Sequence, residues 1–235
     1  MTFKFHLASS GAPTVNPPFS SGWNDTSQAD RVRMLMQNQE DATSPLTDKS
    51  LSITSGSGNT FVLNRQYVSD PLPAGAIPFY KNELWYVTVR GSESDANINA
   101  VQSSGIFIYS QDGSILRTTI QAVTNVQATE YALDGAANTK RNFFTAPYGP
   151  VLQQGDRIVI EIGINFQSPT ATGTATQRFG FQEGTADFAN SNNLTTDLNP
   201  FSLLNYADVG LVQNKTNNNY MSIKSSGLSV NERVR

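Results

Sequence analysis

The sequence predicts an all-β protein, namely an antiparallel β-sandwich of jelly-roll type with an extended N-terminal arm. In residues 158–166 every second side chain is large and apolar, which places these side chains on one face of a strand. Ten or so apolar runs follow one another at spacings of roughly 8–15 residues, with no helical segment between them. The remaining composition, rich in Ser, Thr, Asn, Gln and Gly, suits strands joined by polar turns.

The run at 158–166 is predicted to be the central strand. Burying each of its isoleucines should stabilise the fold by roughly 1.5–3 kcal/mol. A shift of the strand register by one residue would expose these apolar side chains to water. We expect the strand to be half-buried, with Glu161 on its polar face either solvated or paired across strands. Residues 175–181 follow a turn and are predicted to be its hairpin partner.

A chain of 235 residues is long enough to bury a core without disulfides. No linker divides it, so we predict a single β-sandwich domain at 21–224. An extended N-terminal arm precedes this domain at 1–20, and a C-terminal tail follows it at 225–235.

The first residues leave two interpretations open. Phe3, Phe5 and Leu7 share one side of a short strand, and a proline-rich stretch follows at 11–19. The favoured interpretation is a strand that closes one edge of the sandwich. The alternative is an arm that docks on a neighbouring subunit.

The segment at 23–37 is ambiguous as well. Ser27 and Asp30 have the spacing of a helix cap, but residues 31–36 alternate well enough for a strand, which we favour. Asp112-Gly113 between two apolar runs predicts a hairpin. Further strands are predicted near 51–53, 60–68, 83–90, 105–110, 114–120, 126–133, 142–145, 201–211 and 220–223.

Composition excludes several functions. The net charge of −3 argues against nucleic-acid binding, which needs a concentrated basic face. The chain has no cysteine and one histidine, His6, so cysteine catalysis and histidine-dependent triads are not expected. No apolar segment has the length of a signal peptide core or a membrane span, and we therefore expect a soluble protein.

The sequence gives little support for a metal site or for a catalytic pair of carboxylates. The run Asp95-Ala-Asn97-Ile-Asn99 starts like a calcium loop, but Ala100 and Ile106 stand where the motif needs Gly and Glu. A looser site at Asp95 or in 187–197 stays open, as does a polysaccharide-degrading carboxylate pair. We predict no catalytic residue, no cofactor and no metal, and hence a chain that is not an enzyme.

Four segments of the chain stand out together: FVLNRQYVSDPLPAG at 61–75, DGSILR at 112–117, GDRIVIEIG at 155–163 and RFG at 178–180. In order and spacing they resemble β-sandwich virion structural proteins of tailed bacteriophages. The resemblance covers about residues 20–210 and implies a particle component without cofactor or active residues.

The resulting hypothesis is a non-enzymatic phage capsid decoration or cement protein. It would be made in the host cytoplasm, be released by lysis and end up in the virion. We expect a homo-oligomer, often a trimer in such proteins, that binds the major capsid protein or other virion proteins but neither nucleic acid nor membrane. The predicted interface residues are Phe3, Phe5, Leu7, Phe19 and Trp23.

The rival hypothesis is a receptor- or glycan-binding module of a tail or fibre. It would use exposed aromatic side chains and Asn or Asp side chains in the loops at 92–104 or 182–200. Aromatic residues such as Trp85 and Tyr86 lie inside a predicted strand, so core packing is the favoured role for them.

Overall fold

The structure is a computed structural model. It describes residues 2–36, 43–72, 77–78, 84–134, 139–145, 151–182, 184–188, 194, 196–205, 210–214 and 219–223. The predicted C-terminal tail at 225–235 and the side chain of Phe3 lie outside the described residues. No helix in the described part of the chain is long and apolar enough to cross a membrane.

The described residues contain strands and one short 3₁₀ turn at Ala96–Ile98. In chain order the strands are β1 (Thr2–His6), β2 (Asp30–Arg33), β3 (Leu35–Met36), β4 (Ser44–Ile53), β5 (Thr60–Val68), β6 (Ile77–Pro78), β7 (Leu84–Glu93), β8 (Ala100–Tyr109), β9 (Leu116–Gln121), β10 (Ala132–Leu133), β11 (Thr139–Thr145), β12 (Val151–Leu152), β13 (Arg157–Phe166), β14 (Gly173–Phe181), β15 (Phe201–Asn205), β16 (Gly210–Asn214) and β17 (Asn219–Ile223).

Two large sheets form the sandwich. The five-stranded sheet has the order β2-β5-β13-β8-β9, and all its pairs are antiparallel except β2 with β5. The eight-stranded sheet has the order β3-β1-β15-β7-β14-β4, with β10 and β11 also pairing with β7. The pairs β6–β12 and β16–β17 form two small separate sheets. The all-β sandwich predicted from the sequence is confirmed.

The main core lies between the two large sheets. Ile158, Ile160 and Ile162 of β13 pack there against Trp85 and Val87 of β7, and all five are buried. A second buried cluster continues the core at one end, where Ile164 and Phe166 meet Leu51 and Ala175. The alternation of β13 therefore gives the sandwich its inner layer, as expected.

The expectation of a half-buried β13 was wrong, because all ten of its residues are buried. The outer face of the five-stranded sheet is covered by residues of the segment 15–29. Val159 of β13 packs there in a third cluster with Trp23 and Phe107. Glu161 is consequently fully buried rather than solvated.

The predicted hairpin between β13 and β14 was also wrong. β13 pairs with β5 and β8, whereas β14 pairs with β4 and β7 in the opposite sheet. The turn at 167–172 therefore carries the chain from one sheet to the other. A local turn signal shows where a strand ends, but the sheet in which the next strand pairs depends on distant residues.

A β-bulge interrupts the alternation of side chains along β5. The register between β5 and β13 shifts between Ile162 and Gly163. As a result Leu63 packs on the outer face while Tyr67 packs in the main core, although strict alternation along a strand would place both on one face. Bulges of this kind insert one residue and turn the following side chains to the other face.

The first strand belongs to the eight-stranded sheet. β1 lies between β3 and β15, and Phe5 and Leu7 are buried in the main core. This placement agrees with the favoured interpretation of a strand near one edge. Strands also form in 30–36, as favoured over a helix, and the hairpin at Asp112-Gly113 joins β8 to β9 as predicted.

Candidate functional site

Two concave surfaces lie on opposite outer faces of the sandwich. The N-terminal groove, of about 510 Å³, lies on the five-stranded sheet and is lined by Pro18, Phe19, Ser20, Ser21, Gly22, Phe107, Tyr109, Ser114, Leu116, Thr119, Ala122, Val123 and Thr124. The arginine pocket, of about 300 Å³, lies on the eight-stranded sheet and is lined by Asp48, Arg90, Gly91, Ser92, Asp134, Thr176 and Arg178.

One wall of the N-terminal groove is the segment 17–23, which hydrogen bonds hold against the sheet. The carbonyl oxygen of Pro18 accepts from the Tyr109 hydroxyl at 3.1 Å and from Gln66 Nε2 at 3.3 Å. The guanidinium of Arg31 stacks on the Phe19 ring at 3.8 Å from its centroid. The segment has no strand of its own, so these side chains fix its position.

Glu161 is the polar anchor beneath this segment. Its carboxylate accepts from Trp23 Nε1 at 2.6 Å, from Gln66 Nε2 at 2.9 Å and from the Ser20 backbone N–H at 3.1 Å. Burial raises the pKa of Glu161, while these three donors act in the opposite direction. Because the carboxylate is fully buried and its donors come from the chain, Glu161 has a structural role.

The other wall of the groove is the hairpin between β8 and β9. The Asp112 carboxylate accepts from Ser110 Oγ at 2.6 Å and from the Ser114 backbone N–H at 3.1 Å, and these bonds lower its pKa to about 2. At Gly113 the backbone has a φ of +76°, which glycine adopts without strain. The side chains of Ile115 and Leu116 are 61% and 47% exposed beside this rigid turn.

The arginine pocket is built by three neighbouring strands. The register pairs Arg178 of β14 with Asp48 of β4, and it pairs Gln177 with Gly91 of β7, so Arg90 stands next to Arg178. Two hydrogen bonds of 2.7 and 2.8 Å join the Arg178 guanidinium to the Asp48 carboxylate. A row of charges thus crosses the outer face of the sheet.

A row of hydroxyl groups lies parallel to these charges, two residues further along the strands. Ser50, Thr176 and Ser92 are partners in the register, and the hydroxyls of Ser50 and Thr176 are 2.7 Å apart. Ser92 Oγ donates to Asp134 Oδ1 at 2.8 Å. Residues of β4, β7 and β14 that are up to 130 positions apart in sequence therefore share one polar surface.

The predicted interface residues do not form one surface. Phe5 and Leu7 lie in the main core, and Trp23 lies in the outer cluster with its indole N–H bonded to Glu161. Phe19 is partly buried and lines the N-terminal groove. Whether residues 1–20 bind a neighbouring subunit stays a prediction, but Phe5 and Leu7 contact the chain's own core.

The residues considered for glycan and calcium binding have structural partners. Trp85 is buried in the core, as favoured, whereas Tyr86 is only partly buried. Asp95 Oδ1 accepts from the Asn97 backbone N–H at 2.8 Å and caps the 3₁₀ turn. In the described part of the chain, no three His, Cys, Asp or Glu side chains are grouped as metal ligands.

Comparisons with known proteins give neither a family nor a close relative. No family model matches the chain, and no curated protein matches it. A CocE/NonD family hydrolase from Staphylococcus aureus resembles the structure with a TM-score of 0.40 and 7% identity over 73% of this chain. A structure of infectious bursal disease virus, Gt strain, does so with a TM-score of 0.30 and 15% identity over 67% of this chain.

These likenesses concern the fold alone, and the chain spans about a third of the length of these proteins, 34% in each case. The expectation that the chain is not an enzyme is nevertheless contradicted, because hydrolases are among the similar structures. The correction is that the sequence does not exclude an enzyme. Sequence reasoning tested only known catalytic motifs, and a β-sandwich occurs in enzymes as well as in virus particles.

Proposed function

We propose that the chain is a structural component of a tailed-bacteriophage virion, in which it oligomerises and binds the head shell as a decoration or cement protein. The observation that carries the proposal is the exposed apolar tip of the β8–β9 hairpin beside the N-terminal groove. Ile115 and Leu116 project from a turn that is held rigid by Asp112. Exposed apolar side chains beside a groove are typical of protein-binding surfaces.

The position of the tip in the fold also supports a protein contact. β9 is an edge strand of the five-stranded sheet, so among the described residues no strand pairs with the other side of its backbone in that sheet. Edge strands readily pair with other chains unless charges or bulges prevent it. The segment 112–117 that forms the tip is also one of the four segments that resemble phage virion proteins.

The first test is the mass of the purified chain in solution by light scattering, together with its co-sedimentation with phage heads that lack it. We expect a trimer or larger ring that binds the heads. The double variant Ile115→Asp/Leu116→Asp should lower the mass or abolish head binding. The matched control is Leu133→Asp, because Leu133 is 50% exposed and belongs to β10, which pairs with β7 in the eight-stranded sheet.

A second test looks for the chain in intact particles. Mass spectrometry of purified virions, from a lysate of the host that makes the chain, should detect it at a fixed ratio to the major capsid protein. A wild-type chain that is monomeric and absent from both heads and virions would overturn the proposal. Equal head binding by the double variant and the control would remove the hairpin tip as the contact.

A further inference from the structure

We propose that the arginine pocket binds an acidic saccharide, whose carboxylate pairs with Arg90 and whose ring hydroxyls bond to the neighbouring aspartates. This inference is independent of the contact with a shell and goes beyond the proposed function. It starts from the difference between the two arginines of the pocket. Arg178 is satisfied by two hydrogen bonds to Asp48, whereas Arg90 makes no hydrogen bond or ion pair with any of the described residues.

Arg90 is placed where a negative ligand would be stabilised. Partial burial and the neighbouring positive charge of Arg178 lower the pKa of Arg90, while the Asp48 carboxylate acts in the opposite direction. The guanidinium stays charged at neutral pH. A carboxylate accepts two parallel hydrogen bonds from one guanidinium, which is the strongest pairing that a free arginine offers. A ligand carboxylate at this position would also offset the repulsion between the two arginines.

The rest of the pocket favours hydroxyl groups over a second anion. Two aspartates balance the two arginines, so the four charged side chains sum to zero and a polyphosphate or a sulfated chain would gain little. Asp134 accepts one bond from Ser92 and leaves its second oxygen for a ligand hydroxyl. The hydroxyl of Thr176 adds a group that both donates and accepts.

The lining also argues against a peptide ligand. None of the seven lining residues is aliphatic or aromatic, so the pocket offers no apolar contact for a peptide side chain. Its volume of about 300 Å³ is at the lower end of the range for small-ligand sites and suits one or two sugar rings. One cation for a carboxylate, with acidic and hydroxyl groups around it, matches a uronic or sialic acid.

The test is a titration of the full chain with glucuronic acid, galacturonic acid and N-acetylneuraminic acid, followed by NMR or calorimetry. At least one of them should bind at millimolar concentration, and glucose and acetate should each bind at least about tenfold more weakly. Arg90→Gln should weaken binding at least about tenfold, and Arg90→Lys should restore part of it because the charge remains but the paired geometry does not.

Two further variants separate a saccharide site from a general anion site. Asp134→Asn should weaken binding of the acidic sugar, whereas a simple anion such as acetate would bind better once a negative charge is removed. Arg33→Gln is the control, since Arg33 is a partly exposed arginine paired with Asp70 at the other sheet. Thermal unfolding of each variant checks that the fold is retained.

Three outcomes would overturn the proposal. The first is that none of the three acidic sugars binds. The second is that acetate or sulfate binds as tightly as the sugars, which would make the pocket an unspecific anion site. The third is that Arg90→Gln binds the sugars as tightly as the wild type, or that Arg33→Gln weakens binding as much as Arg90→Gln does.

Discussion

The two outer faces of this sandwich differ in their exposure to solvent. The outer face of the five-stranded sheet is covered by the N-terminal segment, and its central strand is buried on both sides. The outer face of the eight-stranded sheet remains open along β4 and β14, where polar side chains stand in ordered rows. One sheet therefore serves as the middle layer of the fold, while the other presents a polar surface to water.

The charged groups on the two faces are stabilised in different ways. On the covered face the carboxylate of Glu161 is surrounded by donors from Trp23, Gln66 and Ser20. On the open face the ion pair of Asp48 and Arg178 is also reached by water. Breaking an interaction should consequently cost more on the covered face than on the open one, because a buried group left without a partner has no water to replace it.

The largest expected effect comes from deleting β1 together with part of the segment 15–29 that covers the five-stranded sheet. Deleting residues 2–20 takes away Phe5 and Leu7 from the main core and exposes the cluster around Val159. We expect the truncated chain to lose cooperative thermal unfolding in circular dichroism. The expected loss follows from the burial of Phe5 and Leu7, which makes the N-terminal strand a part of the core.

A milder version of the same change is Phe5→Ala, which should lower the free energy of unfolding by about 3–5 kcal/mol. Chemical denaturation measures this value. An unchanged unfolding midpoint for the truncated chain would show that the N-terminal segment is dispensable for the fold.

The next largest effect is expected at Gly163, which lies between the backbone of β5 and the ring of Trp23. A Cβ atom at this position would lie 2.2 Å from the Val62 carbonyl oxygen and 2.6 Å from Trp23. Gly163→Ala should therefore lower the free energy of unfolding by about 3 kcal/mol or more. Thr176→Ala on the open face is the matched comparison and should cost less than about 1 kcal/mol. Equal costs would remove the distinction between the two faces.

The substitution Trp23→Phe tests the hydrogen bond between the covering segment 15–29 and Glu161. The ring is largely kept, but the donor to Glu161 is lost, and we expect a cost of about 1–3 kcal/mol in denaturant unfolding. In the background of Glu161→Gln the same change should cost less, because the buried charge is absent. Full additivity of the two substitutions would contradict the role of Trp23 as a partner of this carboxylate.

Glu93 gives the contrasting case in the eight-stranded sheet. It is buried with one backbone donor, Ala100, and burial raises its pKa to about 7 from the ordinary 4.5. The folded protein then holds a proton that the unfolded chain has lost, so stability should fall as the pH rises from about 4.5 through 7. Glu93→Gln should flatten this fall in unfolding curves recorded across that range. The same slope in both proteins would mean that Glu93 does not titrate in this window.

The smallest effect is expected for the ion pair on the open face. Arg178→Gln removes two hydrogen bonds to Asp48, but both side chains are partly solvated, so the cost should stay below about 1 kcal/mol. Thermal unfolding at low and high salt measures it, and the difference from the wild type should shrink with salt. A loss as large as that of Trp23→Phe would show that the open face is more rigid than its exposure suggests.

The sequence by itself determined the local features of this protein. The alternation of Ile158, Ile160 and Ile162 specified a strand and its inner face, and Asp112-Gly113 specified the hairpin turn. Both signals act over a few residues, because side-chain direction has a period of two and the turn needs particular backbone angles. Both features can therefore be predicted without knowing which distant residues pack against them.

Only the tertiary structure decided what covers each face and which strands become neighbours. The burial of Glu161 depends on Trp23, which is 138 positions away, and the arginine pocket depends on Asp48, Arg90 and Arg178 from three separate strands. The bulge opposite Gly163 likewise arises from pairing between β5 and β13. A sequence pattern shows which side chains avoid water, but which distant surface covers them follows from packing the whole chain.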